Sequence, residues 1–117
     1  GRARMYLPTK HPVNGFKAAI RAAFVANAGK WRTVKGPVRV GIHAWFEMPV
    51  SWSKKQRAAH DVQYHAQKPD ADNVTKAVLD ALTDCAVWVD DSQVASCQVI
   101  KRWAIEPSQT LIEIEEL

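Results

Sequence analysis

Lys68-Pro-Asp-Ala-Asp-Asn-Val-Thr-Lys76, then Asp80, then Trp88-Val-Asp-Asp-Ser-Gln-Val94 is the stretch around which the chain is organised. Asp70 and Asp72 stand two residues apart, Lys76 follows shortly, and Asp90 and Asp91 form a second acidic pair further on. Carboxylates this close repel one another unless a cation sits between them. A hard divalent ion such as Mg²⁺ answers that need, taking one or two carboxylates and keeping waters and phosphate oxygens in its other positions. The pattern points to metal-assisted chemistry on phosphodiesters.

The same stretch predicts a helix over residues 72–82. Turning about 100° per residue from Asp70, the residues Asp72, Asn73, Lys76 and Asp80 gather on one side. Val74, Val78, Ala81 and Leu82 gather on the other, with Leu79 at the border. Each polar residue also has an ordinary structural role open to it. Asp70 or Asp72 can cap the helix, Lys76 and Asp80 can pair at i,i+4 so that Asp80 only anchors the lysine, and Asp90-Asp91 can be a turn before a strand. Their joint placement with Asn73 and Lys76 favours a site.

Outward from this stretch, the 117 residues are expected to form one domain over 1–117, with residues 68–94 as the catalytic segment. The net charge of +4 conceals an uneven distribution. Residues 1–60 hold twelve Lys/Arg and one acid, Glu47, whereas residues 61–117 hold four Lys/Arg and eleven acids. A basic half beside an acidic half suits a protein that grips a polyanion with one region and metal ions with the other. Chance surface composition is the plain alternative. Cys85 and Cys97 are the only cysteines and lack zinc-ligand spacing. They are expected as buried reduced thiols, with a single disulfide left open. No membrane span or signal segment is evident, so a soluble cytoplasmic protein is expected. The chain opens on Gly1 rather than Met, as a trimmed N-terminus would.

Residues 1–12, with Pro8 and Pro12, are expected as an irregular basic arm whose Arg2, Arg4 and Lys10 can meet phosphates or simply be solvated. A helix is predicted over residues 14–28, capped by Asn14 and ended by Gly29. The loop up to Pro37 carries Lys30, Arg32 and Lys35. Val38 to Met48 alternates as a half-buried strand, with His43 and Trp45 on its second face expected to pack under a helix rather than to touch a ligand. Ser53 and Gln56 have capping-box spacing at the start of a short basic helix. Its Lys54, Lys55 and Arg57 can lie along a phosphate backbone or form a solvated face. Cys85–Val89 is expected as a strand or turn, followed by strands over 94–103 and 110–117 joined in a final hairpin. The last strand, with its acidic Glu113 and Glu115, is expected at a sheet edge. The fold class is a mixed α/β or α+β layer, a small mixed sheet with helices packed on it.

The run from Asp70 to Val94 follows the pattern D-x-D-N-x-x-K-x-x-x-D-A-L and then W-x-D-D-x-Q-[VI]. With Lys101, the opening Gly1-Arg-Ala-Arg and Met48-Pro-Val-Ser-Trp-Ser53, it resembles the RusA-type Holliday-junction resolvases, small endodeoxyribonucleases often carried by phages and prophages. The family's short opening strand is missing before the basic arm, which leaves the N-terminal sheet edge and some of the DNA contacts open. The resemblance implies that Asp70, Asp72 and Asp91 bind Mg²⁺, with Mn²⁺ as an alternative, and that Lys76 is catalytic. Asp90 and Asn73 are expected as auxiliaries, and the basic residues Arg2, Arg4, Lys10, Lys54, Lys55, Lys68 and Lys101 are the candidate DNA contacts. The resemblance further implies a homodimer, acting on four-way-junction DNA in recombination and repair, with no membrane partner. The rivals are a non-catalytic branched-DNA-binding module and a metal-stabilised structural protein.

Overall fold

Val38, Val40, Ile42 and Ala44 are each at most 1% exposed, and the strand that carries them, β2 (Val38–Glu47), is the member on which the sheet is assembled. The computed structural model describes residues 2–10, 16–105 and 107–117. Along the chain run β1 (Arg4–Lys10), α1 (Phe16–Asn27), β2, α2 (Lys54–His60), α3 (Ala71–Asp84), a 3₁₀ turn (Asp91–Gln93), β3 (Val94–Ala104) and β4 (Gln109–Glu116). The strands lie in the order β1-β4-β2-β3, with β3 parallel to β2 and the other pairs antiparallel. This is the expected mixed α+β fold.

Period-two alternation sorts the two faces of the sheet. Met5 and Leu7 of β1, Val38, Val40 and Ile42 of β2, and Ile112 and Ile114 of β4 face the helices and join Ile20 of α1 and Val74, Val78, Ala81 and Leu82 of α3 in one core. Burying a side chain such as Leu82 contributes about 1.5–3 kcal/mol, so the apolar stripe of α3 fixes its rotation on the sheet. Gly29, with φ +55, follows α1 in the left-handed conformation that glycine adopts without a Cβ clash, and it ends the helix as expected.

Among the described residues, the opposite face carries ion pairs and no helix. Arg39 pairs with Glu113 at 2.9 Å and Glu115 at 3.6 Å, and Arg4 pairs with Glu115. The Arg4 hydrogen bond holds the Glu115 carboxyl below the usual carboxylate range. His43 and Trp45 lie on this face, packed on each other at 5.7 Å, rather than beneath a helix.

Other expectations are also corrected. The arm expected over residues 1–12 is, from Arg4 to Lys10, a strand at the sheet edge, where the missing N–H of Pro8 costs no interior ladder bond. The N-terminal sheet edge is therefore present. The Asn14 cap and Pro12 fall outside the described residues. Strand β4 is interior, between β1 and β2, because cross-strand arginines neutralise its glutamates. It forms no hairpin with β3, which pairs on the far side of β2. Cys85 and Cys97 are free thiols, the first half-buried and the second exposed.

Residues 61–69 form a strap along β3. The amide of Val62 donates to the Trp103 carbonyl at 3.1 Å, that of Trp103 to Gln63 at 2.8 Å, and that of His65 to Lys101 at 2.9 Å. Val62 sits at φ +56, a strained value for a β-branched residue. The Arg102 guanidinium grips the Val62 carbonyl at 3.1 Å and offsets that strain. Among the described residues, no helix is long and apolar enough to cross a membrane.

Candidate active site

The strap delivers the chain to Asp70, the N-cap of α3, which is extended at φ −66 and ψ 154. The Asp70 carbonyl accepts from the Val74 amide at 3.1 Å, while its carboxylate makes no capping bond. Asp72 follows in the first turn, where the partial positive charge of the helix end favours an anion. Because Val74, Val78, Ala81 and Leu82 are buried, the other side of α3 faces outward with Asp72, Lys76 and Asp80. These three, with Ala71, Thr75, Leu79, Val99 and Asp91, line an open cleft of about 470 Å³.

Asp91 reaches that cleft from a separately braced turn. Trp88, 1% exposed, donates its indole N–H to Thr83 Oγ1 at 2.8 Å and pins the start of the turn to α3. Asp90 accepts from the Ser92 amide at 3.1 Å, and hydrogen bonding by the Ser92 side chain, then by that amide, holds the Asp90 carboxyl below its ordinary value. Asp90 is thereby engaged in capping the 3₁₀ turn, and the Asp91 side chain has no hydrogen bond or ion pair among the described residues. Gln93 completes the brace with its whole amide. Its Oε1 accepts from the amides of Val89 at 2.8 Å and Asp90 at 3.0 Å. Its Nε2 donates to the carbonyls of Val34 at 2.9 Å and Gly36 at 2.8 Å.

Gln93→Ala is expected to lower unfolding free energy by about 1–2 kcal/mol, since four backbone groups lose a partner. Gln93→Glu should not rescue it, because a carboxylate would face two carbonyl oxygens. Urea denaturation of the three proteins checks this, and a glutamate variant as stable as the parent contradicts it.

Of the residues singled out from sequence, Asp72, Lys76 and Asp91 are brought to one cleft. Asp70 and Asn73 are exposed near the start of α3 and do not line it. Asp80 does line it, but it pairs with Lys17 of α1 at 3.3 Å rather than anchoring Lys76. Among the described residues, Asp70, Asp72, Lys76 and Asp91 have no side-chain hydrogen bond or ion pair. Of the cations, Lys10, Lys54, Lys55 and Lys68 are exposed, as is Arg2, while Arg4 is tied to Glu115. The Arg57 guanidinium is taken by the carbonyls of Trp52 at 3.2 Å and Pro49 at 3.0 Å, which removes it from the expected α2 cation cluster. The Lys101 ammonium donates to the Gln67 carbonyl at 2.7 Å and so holds the strap just before Asp70. His65, within that strap, stacks on Phe46 at 4.2 Å and meets the tilted ring of Trp103 at 4.4 Å. Burial, and then the charge of Lys101, pushes its pKa down.

The donor set fits a hard divalent cation. Among the described residues, no three His, Cys, Asp or Glu side chains close into a cage. Mg²⁺ does not require one, because it binds through one or two carboxylates with waters and substrate phosphates completing its octahedron. Asp72 and Asp91, unpartnered carboxylates on one open cleft, are such a pair. Gln93 was visible in the sequence only as a motif letter, because its role depends on carbonyls 59 and 57 residues away.

Comparison with known proteins places these features in context. A family model described as endodeoxyribonuclease RusA matches residues 1–115. A Bacillus subtilis (strain 168) protein, named only as uncharacterized protein YqaN, is 35% identical over 112 residues, covering 92% of this chain and 75% of its own length.

Proposed function

The chain belongs to the endodeoxyribonuclease RusA family, and from that premise we propose that it is a Mg²⁺-dependent, structure-selective nuclease that resolves Holliday junctions by paired symmetric nicks. The observation that carries this reading is the convergence of Asp72, Asp91 and Lys76 on one cleft from separately braced elements. Asp72 and Asp91 would hold the ion, with Asp70 contributing from the helix N-terminus. When bound, Mg²⁺ lowers the pKa of a coordinated water and neutralises charge on the phosphoryl oxygens.

The chain's own residues supply the rest. Lys76, one turn beyond Asp72 on the same face, offers three N–H donors to a phosphoryl or leaving oxygen as negative charge develops there. The Asp90 cap and the Gln93 brace hold the Asp91 turn in place, so little ordering cost remains when substrate binds. A homodimer would present two such clefts to a four-way junction with two-fold character, one for each nick. Recombination and repair are the processes such a cut serves.

A synthetic mobile four-way junction, incubated with and without Mg²⁺ and mapped on every strand, tests the reading. Symmetric paired nicks that need the metal and are absent from matched linear duplex are expected. Binding without cleavage in either Mg²⁺ or Mn²⁺ would replace the enzyme with a binding module. Light scattering at micromolar concentration should report twice the 13.1 kDa chain mass; a monomer alone would remove the dimer.

A further inference from the structure

The first sixty residues carry far more positive charge than the fold neutralises within itself. Lys17 and Arg21 of α1 pair with Asp80 and Asp84 of α3, and Arg4 and Arg39 pair with glutamates of β4. Lys30, Arg32 and Lys35, three exposed cations within six residues, have no acidic partner among the described residues. With Arg4 and Trp31 they line a second cavity, of about 530 Å³, in which Glu116 is the one acid.

A merely solvated charged loop needs no anchoring, yet this one is held along its length. The Trp31 indole N–H donates to the Val87 carbonyl at 3.1 Å, and Thr33 Oγ1 donates to that of Ala86 at 2.7 Å. The Val34 amide donates to Val87 at 3.0 Å, and Val34 bridges to Trp88 in parallel. Lys35 then lies between the two residues, Val34 and Gly36, whose carbonyls Gln93 holds. Gln93 is two residues beyond Asp91, so its hydrogen bonds tie the basic loop to the acidic turn.

We propose that residues 30–36 are a phosphate-binding element for the DNA backbone, fixed to the Asp91 turn through Gln93. The need for it is electrostatic. Asp72 and Asp91 in the cleft, with Asp70 and Asp90 next to them in sequence, repel a polyanion, and prepositioned cations beside the turn offset that repulsion without the entropy cost of ordering a mobile loop. Contacts of this kind position the duplex and carry no base sequence. The inference rests on the DNA-nuclease reading above, though not on cleavage itself.

The test is binding of a four-way junction to the full chain, followed by fluorescence anisotropy across a salt series without added divalent metal. The K30A/R32A/K35A variant should bind more weakly, with a plot of log affinity against log salt shallower by about 2–3 in slope, since each phosphate contact contributes about 0.9. The charge-preserving K30R/R32K/K35R variant should restore the slope. An alanine variant that keeps the parent slope, whatever its stability, overturns this element and leaves the nuclease reading standing. A parent protein with no salt-dependent DNA affinity at all overturns both.

Discussion

Asp72→Asn is expected to lower nicking of a four-way junction by about three orders of magnitude or more, while DNA binding stays at least as tight as in the parent. The magnitude follows from comparison with lesser losses. Removing a residue that only supports a metal ligand costs about 10–100-fold, and removing a single transition-state donor costs about 10²–10³-fold. A direct ligand to the activating ion should cost at least the upper end, equivalent to about 4 kcal/mol of barrier. Folding should hardly respond, because Asp72 is exposed and its favourable interaction with the helix end is worth about 0.3–1 kcal/mol. DNA affinity without metal should not fall, because a negative charge has left a cleft that repels phosphate. Single-turnover nicking and anisotropy on the same preparation decide the matter. Undiminished cleavage in Mg²⁺ would remove Asp72 from the metal site.

Trp88→Ala is expected to cost about 3–5 kcal/mol of unfolding free energy, the usual range for deleting a buried large aromatic side chain. Trp88 is 1% exposed within the core that joins α3 to the sheet, and its indole N–H is satisfied by Thr83. A domain of this size has about 5–15 kcal/mol in total, so the variant should be marginal at physiological temperature. Trp88→Phe fills most of the volume and loses only the Thr83 hydrogen bond and part of the ring, so it should fall between the two. Urea denaturation monitored by circular dichroism gives the values. A loss under about 1 kcal/mol for the alanine variant would mean that the Asp90-Asp91 turn is not held from the core as described.

The parts of the site legible in the sequence are those set by local periodicity and local capping. The α3 wheel placed Val74, Val78, Ala81 and Leu82 inside and Asp72, Lys76 and Asp80 outside, and the structure buries and exposes them accordingly. The alternation of β2 and the Ser53/Gln56 capping box were likewise readable, because each depends on neighbours within a few residues. Pro8 misled the reading of residues 1–12, since proline breaks a ladder only where its nitrogen faces a partner strand.

By itself, the sequence determined the helix faces, the half-buried β2, the mixed α+β class and, through the Asp70–Val94 motif, the family. Only the tertiary structure decided that β4 is interior, that β3 runs parallel to β2, that Asp80 pairs with Lys17, and that Asp91 meets Asp72 and Lys76 in one cleft. The physical reason is reach. Periodicity orients a side chain about its own element's axis, whereas strand order and ion-pair choice arise between residues such as Arg39 and Glu113, 74 positions apart. Their pairing is selected by how every element buries its apolar face at once.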